Sequence, residues 1–258
     1  MAMTAGLRGA INSAIGDAIL TFGWVFCTSA LDAATAVVAA ALGLEFAGGG
    51  GVDWGRILIL TAFFAILLLV FDVIAAVLGG ASFNPAGNVA SYAAGVPGDT
   101  LFSMALRFPA QAAGGVGGAI AILEAMPSQY KHTLGGPSIR VDLHTAAMAE
   151  GILTFLINLA ALVITHRIRA GILVKTWLQA MAIVTLVVSG SEYTGPAMNP
   201  SAAFGWAYIK KWHNTWDQFY VYWICPFIGA ILAGWLFKFL FSEASKKPKR
   251  VPKNKKSD

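Results

Sequence analysis

The sequence predicts an all-α membrane protein with six transmembrane helices and two re-entrant half-helices, arranged as two inverted three-helix repeats. Composition is the first reason: over 258 residues the chain is 57% hydrophobic and only 12% charged, with a mean hydropathy of +0.67, which does not suit a soluble domain of that size. The second is an internal duplication. Ser82-Phe83-Asn84-Pro85-Ala86-Gly87 returns 115 residues later as Ala197-Met198-Asn199-Pro200-Ser201-Ala202, and the same offset carries Gln111 to Pro226 and Gly114 to Gly229. The third is the count of apolar windows. There are three per copy, and an odd number of spans turns the second copy upside down relative to the first.

The windows run over residues 10–30, 57–78, 101–123, 143–165, 172–190 and 219–241. Each approaches the roughly 20 helical residues that a hydrocarbon core of about 30 Å requires. Asp17-Ala18-Ile19-Leu20-Thr21-Phe22 in the first window answers to Glu150-Gly151-Ile152-Leu153-Thr154-Phe155 in the fourth. These lie 133 residues apart because the first copy has a longer connector, which contains Gly48-Gly49-Gly50-Gly51. The chain therefore divides into a first repeat (1–125), a second repeat (126–243) and a basic tail (244–258).

Lysine and arginine set the orientation. With a cytosolic N-terminus, the cytosolic side collects eleven: Arg8, Arg167, Arg169, Lys175 and seven in the tail. The other side has five, Arg56, Lys131, Arg140, Lys210 and Lys211. The positive-inside rule favours cytosolic termini. The net charge of +5 is a feature of the tail, whose expected partner is an anionic lipid surface rather than nucleic acid. No signal peptide is evident, because the first window is longer than a typical h-region and lacks a clear cleavage site.

Nothing points to an enzyme. Cys27 and Cys225 each lie inside a window, where inert buried thiols are expected, and the four histidines fall in loops or at window ends without metal-ligand spacing. No cofactor or metal site is expected.

After each Asn-Pro comes a stretch of about ten small or apolar residues, 86–94 and 201–209, too short to span. Proline suits the first turn of a helix and asparagine is a favoured N-cap, so each motif starts a half-helix. Non-helical backbone at membrane depth must pack in protein or line a wet cavity. Two inverted half-helices should thus enter from opposite faces and meet near the midplane, leaving a channel. Two helix N-termini and the amides of Asn84 and Asn199 would accommodate water or a small neutral solute and repel cations.

These residues resemble the aquaporin, or major intrinsic protein, family. The likeness rests on the acidic residue followed by Thr-Phe in the first and fourth spans, the paired Asn-Pro motifs, Ala110-Gln111 with Gly114, and Tyr222-Trp223 with Pro226 and Gly229. Within the family the chain is most similar to the plant small basic intrinsic proteins of the first type. Ala94-Gly95-Val96-Pro97-Gly98-Asp99-Thr100, Tyr193-Thr194-Gly195-Pro196, the short N-terminus and the Lys-rich tail carry that likeness. The resemblance implies a homotetramer with one pore per subunit, passage of water, and residence in the endoplasmic reticulum membrane.

The pore motifs are then Asn84, Pro85 and Ala86 with Asn199, Pro200 and Ser201. Where the family has an arginine after the second motif, this chain has Ala202. The remaining filter positions fall at Pro196, Val187 and a residue between Phe64 and Leu67, so the filter is expected to be apolar. Modest water permeability follows, and hydrogen peroxide is a further candidate solute. Ser201 is expected to be a small cap residue whose hydroxyl bonds locally, set against a direct role in selectivity. Asp72 is the inverted counterpart of Val187. It either lines the cytosolic vestibule or reaches headgroups or a backbone donor. By the resemblance, Asp17 and Glu150 stand behind the half-helices and hold loop backbone groups.

Lys255 and Lys256 stand fourth and third from the end, the form of a cytosolic dilysine signal read by a retrieval coat. Two other readings stay open: a proton-coupled small-solute transporter using Asp17, Asp72 or Glu150, and a non-conducting membrane scaffold.

Overall fold

The computed structural model describes residues 2–44 and 53–241, with side chains from residue 6 onward. The glycine run Gly48 to Gly51 and the tail with Lys255 and Lys256 lie outside the described residues. Among the described residues all regular structure is helical: α1 (Ala2–Ser29), α2 (Leu31–Ala41), α3 (Trp54–Val77), α4 (Pro85–Ala94), α5 (Leu101–Ala125), α6 (Leu143–His166), α7 (Ile172–Gly190), α8 (Pro200–Ile209), α9 (Trp216–Phe219) and α10 (Cys225–Phe241). A 3₁₀ turn covers Ser128–Thr133, and a π-turn, Tyr220–Ile224, joins α9 to α10.

Local signals set these boundaries. The Asp53 carboxylate accepts from Arg56 N at 2.9 Å and starts α3, while Thr100 and Ser103 form a reciprocal capping box at α5. Asp142 caps α6, and hydrogen bonding from Thr145 holds its carboxyl below the usual carboxylate range. α4 ends where Gly95 takes φ 78°, a left-handed cap that glycine adopts without steric cost. The first helix begins at Ala2 rather than at residue 10, and the connector carries a further helix, α2, for which the sequence reading gives no expectation. An ion pair of 2.8 Å between Asp32 and Arg56 ties α2 to the start of α3.

Five elements among the described residues are long and apolar enough to cross a membrane: 6–29 within α1, α3, α6, α7, and the combined α9 to α10 stretch. α5, with 25 residues, is long enough to cross but more polar than these. It carries Arg107, Pro109, Gln111 and four glycines, and its buried face includes Arg107, Gln111, Gly114, Gly115 and Gly118. The helix is polar because its neighbours are protein: it packs against α1 on one side and α8 on another.

The packing follows the duplication. α1 lies on α5 as α6 lies on α10, α3 meets α7, and each half-helix docks on a long helix of the other repeat, α4 on α10 and α8 on α5. In lipid, apolar side chains gain little by facing one another, so close approach of small residues does the packing. A Cβ built on Gly114 would stand 2.3 Å from the Ala18 carbonyl oxygen, and one on Gly229 only 2.1 Å from that of Gly151. Large apolar side chains such as Leu58, Val77, Trp235 and Phe239 point outward, as a lipid-facing surface requires.

We expect Gly229→Ala to force α6 and α10 apart and cost about 1–3 kcal/mol, read as a lower melting temperature in detergent. Gly9→Ala, where nothing lies within 4 Å, should leave the melting temperature unchanged or raise it.

Candidate functional site

The two Asn-Pro motifs meet head to head, and their asparagines are crossed. Asn84 caps α4 through its Oδ1, which accepts from Ala86 N at 2.9 Å, while its Nδ2 donates to the Met198 carbonyl at 3.0 Å. Asn199 repeats this in mirror sense: Oδ1 accepts from Ser201 N at 3.1 Å and Nδ2 donates to the Phe83 carbonyl at 2.9 Å. Pro85 and Pro200 occupy the first helical positions, where a missing N–H costs nothing. A primary amide has two N–H donors, so each asparagine spends one on the opposite motif and keeps one for another acceptor. Met198 holds φ 47°, a strained value for a residue with a long side chain. Its carbonyl is taken by Asn84 and its N–H by Glu150, so both sides of the residue are fixed.

Behind each motif sits a fully buried carboxylate. Asp17 Oδ1 accepts from Ser82 N at 2.7 Å. Glu150 accepts from Thr194 Oγ1 at 2.8 Å, Ala197 N at 2.9 Å and Met198 N at 3.1 Å. Tyr222, on the π-turn, donates its hydroxyl to the Thr194 carbonyl at 3.4 Å. Loop N–H groups that lie inside the protein, away from water, thereby find acceptors.

The filter positions are apolar and only partly brought together. Phe64, Leu67 and Ala202 edge one apolar cluster with Trp24, Phe71 and Ile183. Pro196 packs on Gly190, where an added Cβ would lie 2.3 Å from its Cγ, and Val187 stands one turn before that glycine on α7. Phe83 stacks on Trp24 with ring centroids 4.0 Å apart, an aromatic wall beside the first motif. Ala86 and Ser201 are both fully buried. The Ser201 hydroxyl does not bond locally as expected: Oγ is buried and has no partner among the described residues. Asp72 shares a helical stripe with Leu68 and Ala75, and its side chain is exposed.

The sequence reading missed a polar ring beside the first motif. Arg107 makes a bidentate pair with Asp17, Nε at 2.7 Å and Nη2 at 2.8 Å, and donates from Nη1 to Asp99 at 2.6 Å. Asn88 donates to Asp99 at 2.8 Å and Gln111 donates both to Asn88 at 3.1 Å and to Asp17 at 2.6 Å, closing the circuit. A recess of about 270 Å³ opens beside it, lined by Ser82, Asn88, Ser91, Asp99 and Arg107. The available signal was an arginine within an apolar window, which marks a polar site or a buried partner. Among the described residues no cluster of three or more His, Cys, Asp or Glu side chains could hold a metal ion.

Inverted half-helices meeting end to end within a bundle of long apolar helices define a class of membrane channel. The chain belongs to the major intrinsic protein family, the aquaporin family of channels, whose family model, described as Major intrinsic protein, matches residues 7–237. It is a multi-pass integral membrane protein. It is similar to Aquaporin SIP1-1 from Zea mays, 54% identical over 249 residues that cover 96% of this chain and 98% of that protein. Aquaporin SIP1-1 from Arabidopsis thaliana is 48% identical over 247 residues, 96% of this chain and 100% of that protein. Probable aquaporin SIP2-1 from Arabidopsis thaliana is more distant, 31% identical over 244 residues, covering 93% and 98%. The X-ray structure of the aquaglyceroporin from Plasmodium falciparum shares the fold, with a TM-score of 0.61 at 19% identity over 91% of this chain and 96% of that one.

Glu150→Gln replaces one acceptor oxygen by a donor facing the Thr194, Ala197 and Met198 donors. We expect a loss of about 1–3 kcal/mol from the unpaired group, seen as a lower melting temperature of the purified protein. An unchanged melting temperature would contradict the hydrogen-bonding account.

Proposed function

We propose that the chain is a passive channel for water and other small neutral solutes, such as hydrogen peroxide, that excludes cations and protons where the half-helices meet. The observation that carries this reading is the crossed pair of asparagines, which fixes two helix N-termini face to face and leaves each amide one N–H for a passing oxygen. Each N-terminus presents roughly half a positive charge. A cation about 4 Å from both would be repelled by roughly 4 kcal/mol at an effective dielectric near 20, about a thousandfold in population. Stripping an ion of its hydration shell adds to that barrier. Water keeps its neutrality and exchanges one hydrogen-bond partner for another. The aquaporin names of its relatives support the same reading.

The apolar filter tempers the rate. Phe64, Leu67, Val187, Pro196 and Ala202 offer no side-chain donor to an entering water, so the permeability is modest and ion exclusion rests mainly on the half-helix ends. Asp17 and Glu150 act as fixed braces: both are fully buried and bound to backbone N–H groups. Asp72 lines the cytosolic vestibule. The functional unit is a homotetramer in the endoplasmic reticulum membrane with cytosolic termini, where Lys255 and Lys256 present a dilysine signal to a retrieval coat.

Purified protein in liposomes should shrink faster than empty liposomes in stopped-flow light scattering after an osmotic step, and Asn84→Asp/Asn199→Asp should abolish the gain. Shrinkage no faster than that of empty liposomes would refute the water-channel reading, and uptake driven only by a pH gradient would replace it with a proton-coupled transporter. Mercuric chloride should not block through position 196, which is a proline, and Pro196→Cys should introduce block there.

A further inference from the structure

The two repeats differ in how the carboxylate behind the half-helix is compensated. Arg107 pairs with Asp17 and Asp99, at 2.7 Å and 2.6 Å, and also donates to the Gly80 carbonyl at 3.3 Å. Under the 115-residue offset its counterpart in the second repeat is Tyr222, a neutral group. Glu150 makes no ion pair among the described residues and accepts only from neutral donors. The first repeat thus sets two formal negative charges and one positive behind its pore motif.

Those charges stand close to the conduction route. Asp17 binds the Ser82 N–H, two residues before Asn84, and two residues of backbone span at most about 7 Å. The carboxylate is therefore about 10 Å or less from the N-terminus of α4, the end whose half-charge repels cations. Without Arg107 two formal negative charges, rather than one, would stand against that half-charge. Ala202 offers no cation at the filter to make up the difference.

We propose that Arg107 is a charge-selectivity residue of this pore: from behind the first half-helix it cancels a carboxylate charge that would otherwise draw cations to the Asn84 end. It acts through the field it sets and touches no solute in the lumen. Its three-way attachment explains an arginine rather than a lysine, since a planar fork holds Asp17 bidentately while Nη1 reaches Asp99. The inference rests on the channel reading above.

The test compares potassium and chloride permeability of liposomes carrying the full chain, with osmotic water flux of the wild type measured in the same preparation. Arg107→Met should raise potassium permeability roughly ten- to twentyfold and lower chloride permeability by a like factor, the Boltzmann factor for one unit charge at about 10 Å and an effective dielectric near 20, so that their ratio rises by roughly one hundred- to four hundredfold. Arg107→Lys and Arg107→Met/Asp99→Asn, which restore the charge sum, should return the ratio to the wild-type value. Parallel rises in potassium and chloride would show a merely structural role and overturn the proposal, as would a ratio that ignores the charge sum. Should Arg107→Met fail to fold, Asp99→Asn alone should lower the ratio, and an unchanged ratio would overturn the proposal. Absent water flux in the wild type would sink the channel reading and this inference with it, whereas wild-type flux with charge-independent leak sinks only the inference.

Discussion

Two helix N-termini pointed at one another inside a membrane are an unstable arrangement unless something holds them there. Their N–H groups have no helical partners, their dipoles repel, and no bulk lipid can solvate the exposed backbone. The crossed bonds from Asn84 to Met198 and from Asn199 to Phe83, at 3.0 Å and 2.9 Å, resolve this by making each cap serve both helices. One amide face satisfies its own half-helix and the other clasps the opposite loop, so neither half of the duplication is complete alone.

Much of the remaining architecture serves that clasp. The loops that deliver Phe83 and Met198 must present their carbonyls across the axis, which leaves their N–H groups turned inward to Asp17 and Glu150. Buried carboxylates need several donors in return, and the repeats supply them differently: an arginine and a glutamine in the first, a threonine hydroxyl and backbone in the second. The half-helices must also approach long helices of the other repeat closely. Gly115 lets the Ser201 carbonyl come within 2.4 Å of where its Cβ would be, a contact no larger residue permits.

The duplication and the half-helices were legible because they rest on local chemistry: Asn-Pro ahead of about ten small or apolar residues supplies an N-cap and a first-turn proline. α4 and α8 accordingly begin at Pro85 and Pro200, and α7 occupies the expected residues 172–190. The connector helix α2 was hidden because its 11 residues are too few to span, although its alanine-rich sequence favours helix. Arg107 was obscured for a related reason. Its neighbours Leu106 and Phe108 keep the window apolar, and only tertiary structure shows Asp17, 90 residues away, joining Asp99, eight residues away, on one guanidinium. The Ser201 hydroxyl, unpartnered among the described residues, could not be foreseen either, since its burial comes from the close approach of α5, where Gly115 lies against the Ser201 carbonyl.

The most direct test of this account is an experimental density map of the protein in lipid nanodiscs, at a resolution that places side-chain amides. The account requires each asparagine Nδ2 within hydrogen-bonding distance of the opposite motif's carbonyl, Asn84 with Met198 and Asn199 with Phe83. Half-helix ends held apart, with each asparagine capping only its own helix, would contradict it.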